Sequence, residues 1–364
     1  MKQKFSPKYL TVALFVLLFV FLFVGQLLKS DRDISFSERR PLEQKPELSF
    51  DALRDGSYFD DYETYLLDQA ILRETFRQVK ATSAYYLLGK KDNNGLYRYG
   101  DSLHEILRYN QTSFEKAGEK IEALSQKLAA LNCYYAMIPD KNALIQGDSK
   151  RPAIDLATAD KTLSETITSA TRIDLTALLS VDSYYKTDLH WRQEKLLPIA
   201  EKLLLGMNNN AVQYSFSETV LHGFRGVYYG QSALPFASEE MRYLTASAFD
   251  DITVEDMTQG KSIPLYNEAA FDEIDPYSVF VGGPLSLIRI TNSDVQNGKI
   301  LYLFRDSFAS SLSPLLLCGY SEIVLIDLRY IDSRALDYFI EFKAGQDVLF
   351  LYSTHILNES AMLR

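Results

Sequence analysis

Residues 299–327 read KILYLFRDSFASSLSPLLLCGYSEIVLID. Lys299 to Arg305 is a short apolar run of β-forming residues, Phe308 to Leu317 is apolar over a helical length, and Glu322 to Asp327 is a second short run. A strand, a helix and a strand in close succession imply a parallel βαβ unit. The alternation continues on both sides. Ser333 to Phe342 predicts a helix and Val348 to Tyr352 a strand, while residues 111–131 show a helical period ahead of the buried strand Cys133 to Ile138, closed by Pro139. The fold class expected is α/β, with a parallel sheet between two helical layers.

At the N-terminus, Tyr9 to Leu28 is nearly all apolar and follows Lys2, Lys4 and Lys8. Twenty such residues suffice to span a bilayer. The run continues into Lys29 without a small-residue cleavage site, so it reads as an uncleaved signal anchor: residues 1–8 form a cytoplasmic tail, 9–28 the transmembrane span, and the remainder is extracytoplasmic. Residues 29–48, polar and carrying Pro41 and Pro46, read as a tether. Residues 49–106 form a helical and hairpin region. Its helices end at the turn Lys90 to Gly95, and its hairpin runs from Leu96 to Ile106. The main domain covers 107–364, with an insertion of short strands and loops around 207–284.

The composition fits a folded chain: 47% hydrophobic, with 24 Tyr and 21 Phe. A net charge of −10 argues against nucleic acid as a partner. The two cysteines, Cys133 and Cys318, each adjoin an apolar run and are expected as buried free thiols.

Ligands bind an open parallel sheet beyond the carboxyl ends of its strands. Ser307 stands there, after KILYLFR and Asp306. It is either an N-cap or a nucleophile with backbone N–H groups beside it for an oxyanion. A nucleophilic serine needs a base, and the base needs an orienting acceptor. Thr187-Asp188-Leu189-His190-Trp191 offers both, since an irregular segment before a helix at Gln193 to Leu205 lets Asp188 hold His190 Nδ1 and leaves Nε2 for a hydroxyl. The chain has four histidines, and this one lies between an acid and the sole tryptophan. The alternative is that Asp188 caps the helix and His190 is a partly buried polar residue.

Taken together, YYKTDLHW (Tyr184 to Trp191) and FRDSF (Phe304 to Phe308) resemble the alginate O-acetyltransferase-like branch of the SGNH hydrolase superfamily, and within it the bacterial DHHW-motif proteins. LLGKKDNNGLY (Leu87 to Tyr97), IPDKN (Ile138 to Asn142) and ITN (Ile290 to Asn292) support the likeness. The resemblance implies an SGNH-like three-layer α/β/α domain, with Ser307 as nucleophile, His190 as base and Asp188 as its orienter. Two features depart from it: Leu189 stands where the DHHW group has histidine, and Arg305 precedes Asp306 where glycine is common. No Gly-x-Asn-Asp block is present, so Asn292 is the candidate oxyanion donor, with a turn residue as the other reading. Lys141 and Arg305 are candidates for the same crevice, as are Tyr228 and Tyr229.

The function implied is a membrane-anchored O-acyltransferase or esterase acting on a cell-surface polysaccharide through an acyl-serine. No acetyl-CoA exists outside the cell, so a transferase would need a membrane-bound O-acyltransferase partner. The alternative is a non-catalytic glycan-binding or scaffold protein with a degenerate SGNH-like domain. A metal hydrolase built on Asp188, His190 and Asp306 lacks a clustered ligand set, and neither metal nor cofactor is expected.

Overall fold

The computed structural model describes residues 7–210 and 212–364. Residues 1–6, with Lys2 and Lys4 of the expected cytoplasmic tail, lie outside the described residues. The chain divides into two compact units. The first runs through Asn93 and takes in 233–235, and the second comprises Asn94–Ser232 and Phe236–Arg364.

The first unit opens with helix α1, Pro7–Leu28, none of whose side chains is buried. By length and composition it can cross a membrane. The short strands β1 (Ile34–Ser35) and β2 (Arg40–Pro41) pair antiparallel. Three helices follow: α2 (Phe50–Asp55), capped by Ser49, then α3 (Ser57–Asp68) and α4 (Arg73–Thr82), the last running into a π-turn at Ser83–Leu87. Residues 29–48, expected as a polar tether, are held down by this unit's own charges. Arg40 grips Asp68 through two bonds of 2.6 and 2.7 Å, the Glu43 N–H donates to Asp68, and Glu38 pairs with Arg73 and Arg77. The hydrogen bond from Arg40 holds the Asp68 carboxyl down at about 2.

The second unit begins with the hairpin of β3 (Leu96–Tyr99) and β4 (Ser102–Glu105), so the expected region 49–106 is split at Asn93. The reason is tertiary: the Leu103 N–H donates to the Lys186 carbonyl, far along the chain. Then come α5 (Gln111–Lys127), β5 (Asn132–Ile138), α6 (Leu156–Thr166), β6 (Thr171–Arg172) and α7 (Leu197–Gly206). Next are β7 (Ser217–Phe224), α8 (Val227–Ser232), β8 (Glu239–Thr245), β9 (Ile252–Asp256) and β10 (Lys261–Ser262). The chain closes with β11 (Leu287–Asn292), β12 (Ile300–Arg305), α9 (Phe308–Leu316), β13 (Glu322–Ile326), β14 (Asp347–Ser353) and α10 (Thr354–Asn358).

Eight of these strands form one sheet in the order β10-β9-β11-β13-β12-β14-β5-β6. The five from β13 to β6 are parallel, and β11, β9 and β10 extend one edge antiparallel. Alternate residues serve opposite faces, as the pleat requires. Leu301, Leu303, Leu349 and Leu351 pack in a core with α7 and α9, and Tyr302, Phe304, Val348 and Phe350 in another with α5 and α6. The architecture is therefore three-layered α/β/α around a parallel-rich sheet.

Local departures from the sequence reading have local causes. Pro198 lies in the first turn of α7, where its missing N–H costs nothing, so the stretch from Gln193 starts as a 3-10 turn and becomes α-helical at Leu197. Ser333 to Tyr338 forms a 3-10 helix in place of the longer helix expected. Within the expected insertion at 207–284, β9 and β10 join the central sheet. Cys133 and Cys318 are free and buried, and burial raises each thiol to about 11.

Candidate active site

The carboxyl ends of β12, β14 and β5 meet along one edge of the sheet, and buried carboxylates join them. Asp306, just past β12, accepts from the Phe308 N–H at 3.0 Å with Oδ1 and from the Ser353 N–H, at the end of β14, at 2.7 Å with Oδ2. Asp140, just past β5, accepts from the N–H groups of Asn142 and Ala143, and its own N–H donates to Thr354 Oγ1. Asp306 thereby takes the capping role at the start of α9. The Ser307 side chain makes no cap hydrogen bond and stays partly exposed at the turn.

The second motif is a tight loop closed by a bridge between Tyr184 and Trp191. Asp188 is fully buried. Its Oδ1 accepts from the His190 N–H at 3.0 Å and lies 2.7 Å from His190 Nδ1, while Oδ2 accepts from the Val227 N–H at 2.8 Å. His190 Nε2 lies 2.8 Å from Ser307 Oγ. The three residues named from sequence are thus brought together, although His190 and Ser307 stand 117 positions apart. Trp191 locks the loop to the serine helix, its Nε1–H donating to the Phe308 carbonyl at 2.8 Å and to Ser311 Oγ at 3.0 Å. Leu189, the departure from the DHHW pattern, packs against the apolar core.

Three further residues surround the loop from outside. Tyr277 lies flat on the His190 ring, and its hydroxyl donates to Ser311 Oγ at 2.8 Å. Gly226 passes so close that an added Cβ would sit 2.3 Å from both the Thr187 carbonyl oxygen and Asp188 Cβ. Glu239 accepts from the N–H groups of Lys186 and Thr187, each at 2.8 Å. Tyr277, Gly226 and Glu239 come from the expected insertion, where no periodicity or motif marks them.

Three of the candidate side chains do not reach the crevice. Asn292 ends β11, which runs antiparallel to its neighbours, so it lies at the opposite edge of the sheet. There its amide donates to the Leu317 carbonyl and Tyr214 Oη, and it is not placed to donate to an oxyanion at Ser307. Arg305 is fully buried beneath the turn, where its guanidinium donates to Ser310 Oγ and the Leu285 carbonyl and lies 3.8 Å from Asp327. Lys141 is buried too. Its Nζ donates to the carbonyls of Tyr185 and Lys186, bracing the loop ahead of Asp188, and burial lowers the amine to about 7. Tyr228 is also buried, donating to Glu105, and Tyr229 lies under the Arg225 guanidinium.

A cavity of about 310 Å³ opens in front of Ser307 and His190. Glu273, Asp275, Ser310, Arg329 and Tyr330 are among its lining residues. Ser310 accepts from Arg305, which leaves its hydroxyl hydrogen for another acceptor. The arrangement can pass a proton from a serine hydroxyl to an imidazole whose far nitrogen is held by a buried carboxylate.

Comparison with known proteins places this fold. No protein-family profile and no curated protein sequence matches the chain. Among solved structures, it is similar to a DHHW family protein from Eubacterium siraeum, with a TM-score of 0.57 and 19% identity over 73% of this chain and 93% of that one. It is also similar to Bacillus cereus PatB1, solved with a sulfonyl adduct, with a TM-score of 0.58 and 18% identity over 72% of this chain and 95% of that one. The likeness to DHHW-motif proteins carried by the two sequence motifs is therefore present in the fold as well.

Proposed function

We propose that this chain, with the fold of a DHHW family protein and of PatB1, is a serine-dependent acyl-transfer enzyme held at a membrane by α1. The observation that carries the reading is the alignment Asp188–His190–Ser307, with 2.7 and 2.8 Å links, at the mouth of a cavity beyond the carboxyl edge of a parallel sheet.

As Ser307 Oγ attacks an acyl carbonyl, His190 Nε2 takes its proton, and Asp188 holds Nδ1–H so that the ring receives the proton at Nε2. Collapse of the tetrahedral adduct breaks the ester bond, His190 returns the proton to the departing alkoxide, and the acyl group remains on Ser307. In the second half a hydroxyl acceptor gives its proton to Nε2 and attacks the acyl carbonyl, the acyl–Oγ bond breaks, and His190 returns the proton to Ser307 Oγ. With water as acceptor the enzyme is an esterase, and with a sugar hydroxyl it is a transferase. The N–H groups of Phe308, Ala309 and Ser310 are taken up within the turn, so the Ser310 hydroxyl, polarised by buried Arg305, is the donor at hand for the oxyanion. The resemblance of the two sequence motifs to the alginate O-acetyltransferase-like branch supports a cell-surface polysaccharide as the acyl acceptor or source, with a membrane-bound O-acyltransferase as acyl supplier in the transferase case.

Hydrolysis of 4-nitrophenyl acetate by the full-length chain tests the reading. Ser307→Ala and His190→Ala should each abolish turnover, and Asp188→Asn should lower it by orders of magnitude. A wild type no faster than Ser307→Ala, yet still retaining surface polysaccharide, would establish the non-catalytic binding role instead.

A further inference from the structure

The first unit carries an apolar stripe that its own packing leaves uncovered. Leu66 and Leu67 on α3, Leu72 at the start of α4, and Phe76 and Val79 along it are all at least 41% exposed. At 100° per residue, positions 72, 76 and 79 fall on one side of α4. The charged side chains Arg73, Glu74 and Arg77 are engaged elsewhere, with Glu38, Asp68 and one another. Contiguous exposed apolar side chains of this size mark a surface that meets something apolar.

What it meets follows from α1. The last turn of α1 is joined to the turn between α3 and α4. Gln26 Nε2 donates to the Gln69 carbonyl at 2.9 Å, Gln26 Oε1 accepts from the Ile71 N–H at 2.9 Å, and Lys29 Nζ donates to the Gln69 carbonyl at 3.0 Å. Gly25 allows the approach, since a Cβ there would lie 2.5 Å from Ile71 Cδ1. A helix of 22 residues is about 33 Å long, close to the hydrocarbon thickness of about 30 Å, so Gly25 stands near the edge of that layer. Ile71, touching Gly25, shares its depth. Leu72 follows Ile71 directly and opens α4, along which Phe76 lies about 6 Å of helical rise beyond Leu72, and Leu67 stands in the last turn of α3 just ahead of the clasped turn.

We propose that α3 and α4 form an interfacial platform, with Leu66, Leu67, Leu72, Phe76 and Val79 set into the headgroup and upper acyl region of the lipid leaflet from which α1 emerges. The inference rests on the reading that α1 crosses a bilayer. Lipid, and no second protein, is the occupant because the stripe is fixed at the depth of the leaflet surface by the polar clasp of Gln26 and Lys29. The pattern, an apolar face opposite a charged one, is that of helices that lie in the membrane plane.

Nitroxide accessibility tests this on the full-length chain in vesicles of phosphatidylcholine and phosphatidylglycerol. Labels go on Leu67→Cys and Phe76→Cys, with Val16→Cys as the mid-span reference and Glu63→Cys as the solvent reference. Cys133 and Cys318 are buried and escape labelling in the folded protein. Labels at 67 and 76 should collide with oxygen several-fold more, and with a water-soluble nickel chelate several-fold less, than the label at 63, and should lie shallower than the label at 16. Nickel access at 67 and 76 equal to that at 63, with 16 in lipid, would overturn the platform and leave the span intact. Shielding of 67 and 76 from both reagents would mean that protein covers the stripe, which also overturns it. A water-exposed label at 16 would remove the spanning reading and the platform with it.

Discussion

Tyr277 lies face to face with His190, the ring centroids 3.8 Å apart and the planes within 8° of parallel. The phenol ring covers one face of the imidazole, and its hydroxyl is anchored on Ser311 of the serine helix, so the ring that would accept the proton is fixed to the element that carries the hydroxyl. An aromatic pair of this kind contributes about 0.5–1.5 kcal/mol beyond its burial. Tyr277→Ala should lower kcat on 4-nitrophenyl acetate about tenfold with a smaller change in KM, because a loosened imidazole is mispositioned in the transition state. Tyr277→Phe keeps the stack and should retain most of the activity. Equal kcat for wild type and Tyr277→Ala would show that the stack does not position the base.

Gly226→Ala is the backbone counterpart of that test. The new methyl group would overlap the Thr187 carbonyl and Asp188 Cβ, both at 2.3 Å, and neither is a flexible chain end that can swing away. Displacing Asp188 breaks its hold on His190 Nδ1. The variant should lose activity by orders of magnitude and melt several degrees below wild type, as differential scanning calorimetry would report. A variant with wild-type melting temperature and turnover would mean that the loop tolerates the shift.

The reach of the sequence stopped where pairing became non-local. KILYLFR and SEIVLID were legible because strands buried on both faces are continuous apolar runs, and Ser307 with Asp188 and His190 were legible because two short motifs carry them. Asn292, the candidate oxyanion donor, lies elsewhere because nothing in ITN reveals that β11 runs antiparallel, which sends its carboxyl end to the far edge. Arg305 and Lys141 looked like crevice cations because charge is expected at a surface. Their hydrogen-bond partners, the Ser310 hydroxyl and the carbonyls of Leu285, Tyr185 and Lys186, are neutral groups that no charge pattern announces, and the carboxylate paired with Arg305, Asp327, is 22 residues away in sequence. Tyr277 was one of 24 tyrosines until the fold laid it on His190.

Acid should destabilise the second unit through His104 and His355. His104 is fully buried, and among the described residues neither of its ring nitrogens has a hydrogen-bond partner. Burial first, and the charge of Lys141 second, depress it to about 3. Burial likewise depresses His355 to about 4. Between the unfolded pKa of about 6.5 and these values, the unfolded chain binds protons that the native chain does not, so stability is full above about pH 6.5 and is lost as the pH falls. His104→Phe should therefore lose less stability than wild type between pH 7 and pH 4.5, by about 2 kcal/mol in paired urea melts. Parallel losses in the two proteins would show that His104 titrates normally.

The central claim is that Ser307 is the nucleophile, and covalent capture addresses it most directly. Full-length protein treated with phenylmethylsulfonyl fluoride, digested and mapped by mass spectrometry should carry one sulfonyl group on Ser307. Labelling should be absent in Ser307→Ala and much slower in His190→Ala, with loss of esterase activity following the same time course in wild type. Folded wild-type protein that hydrolyses the ester while Ser307 stays unmodified, or that is modified at Ser307 at the same rate with and without His190, would contradict the account.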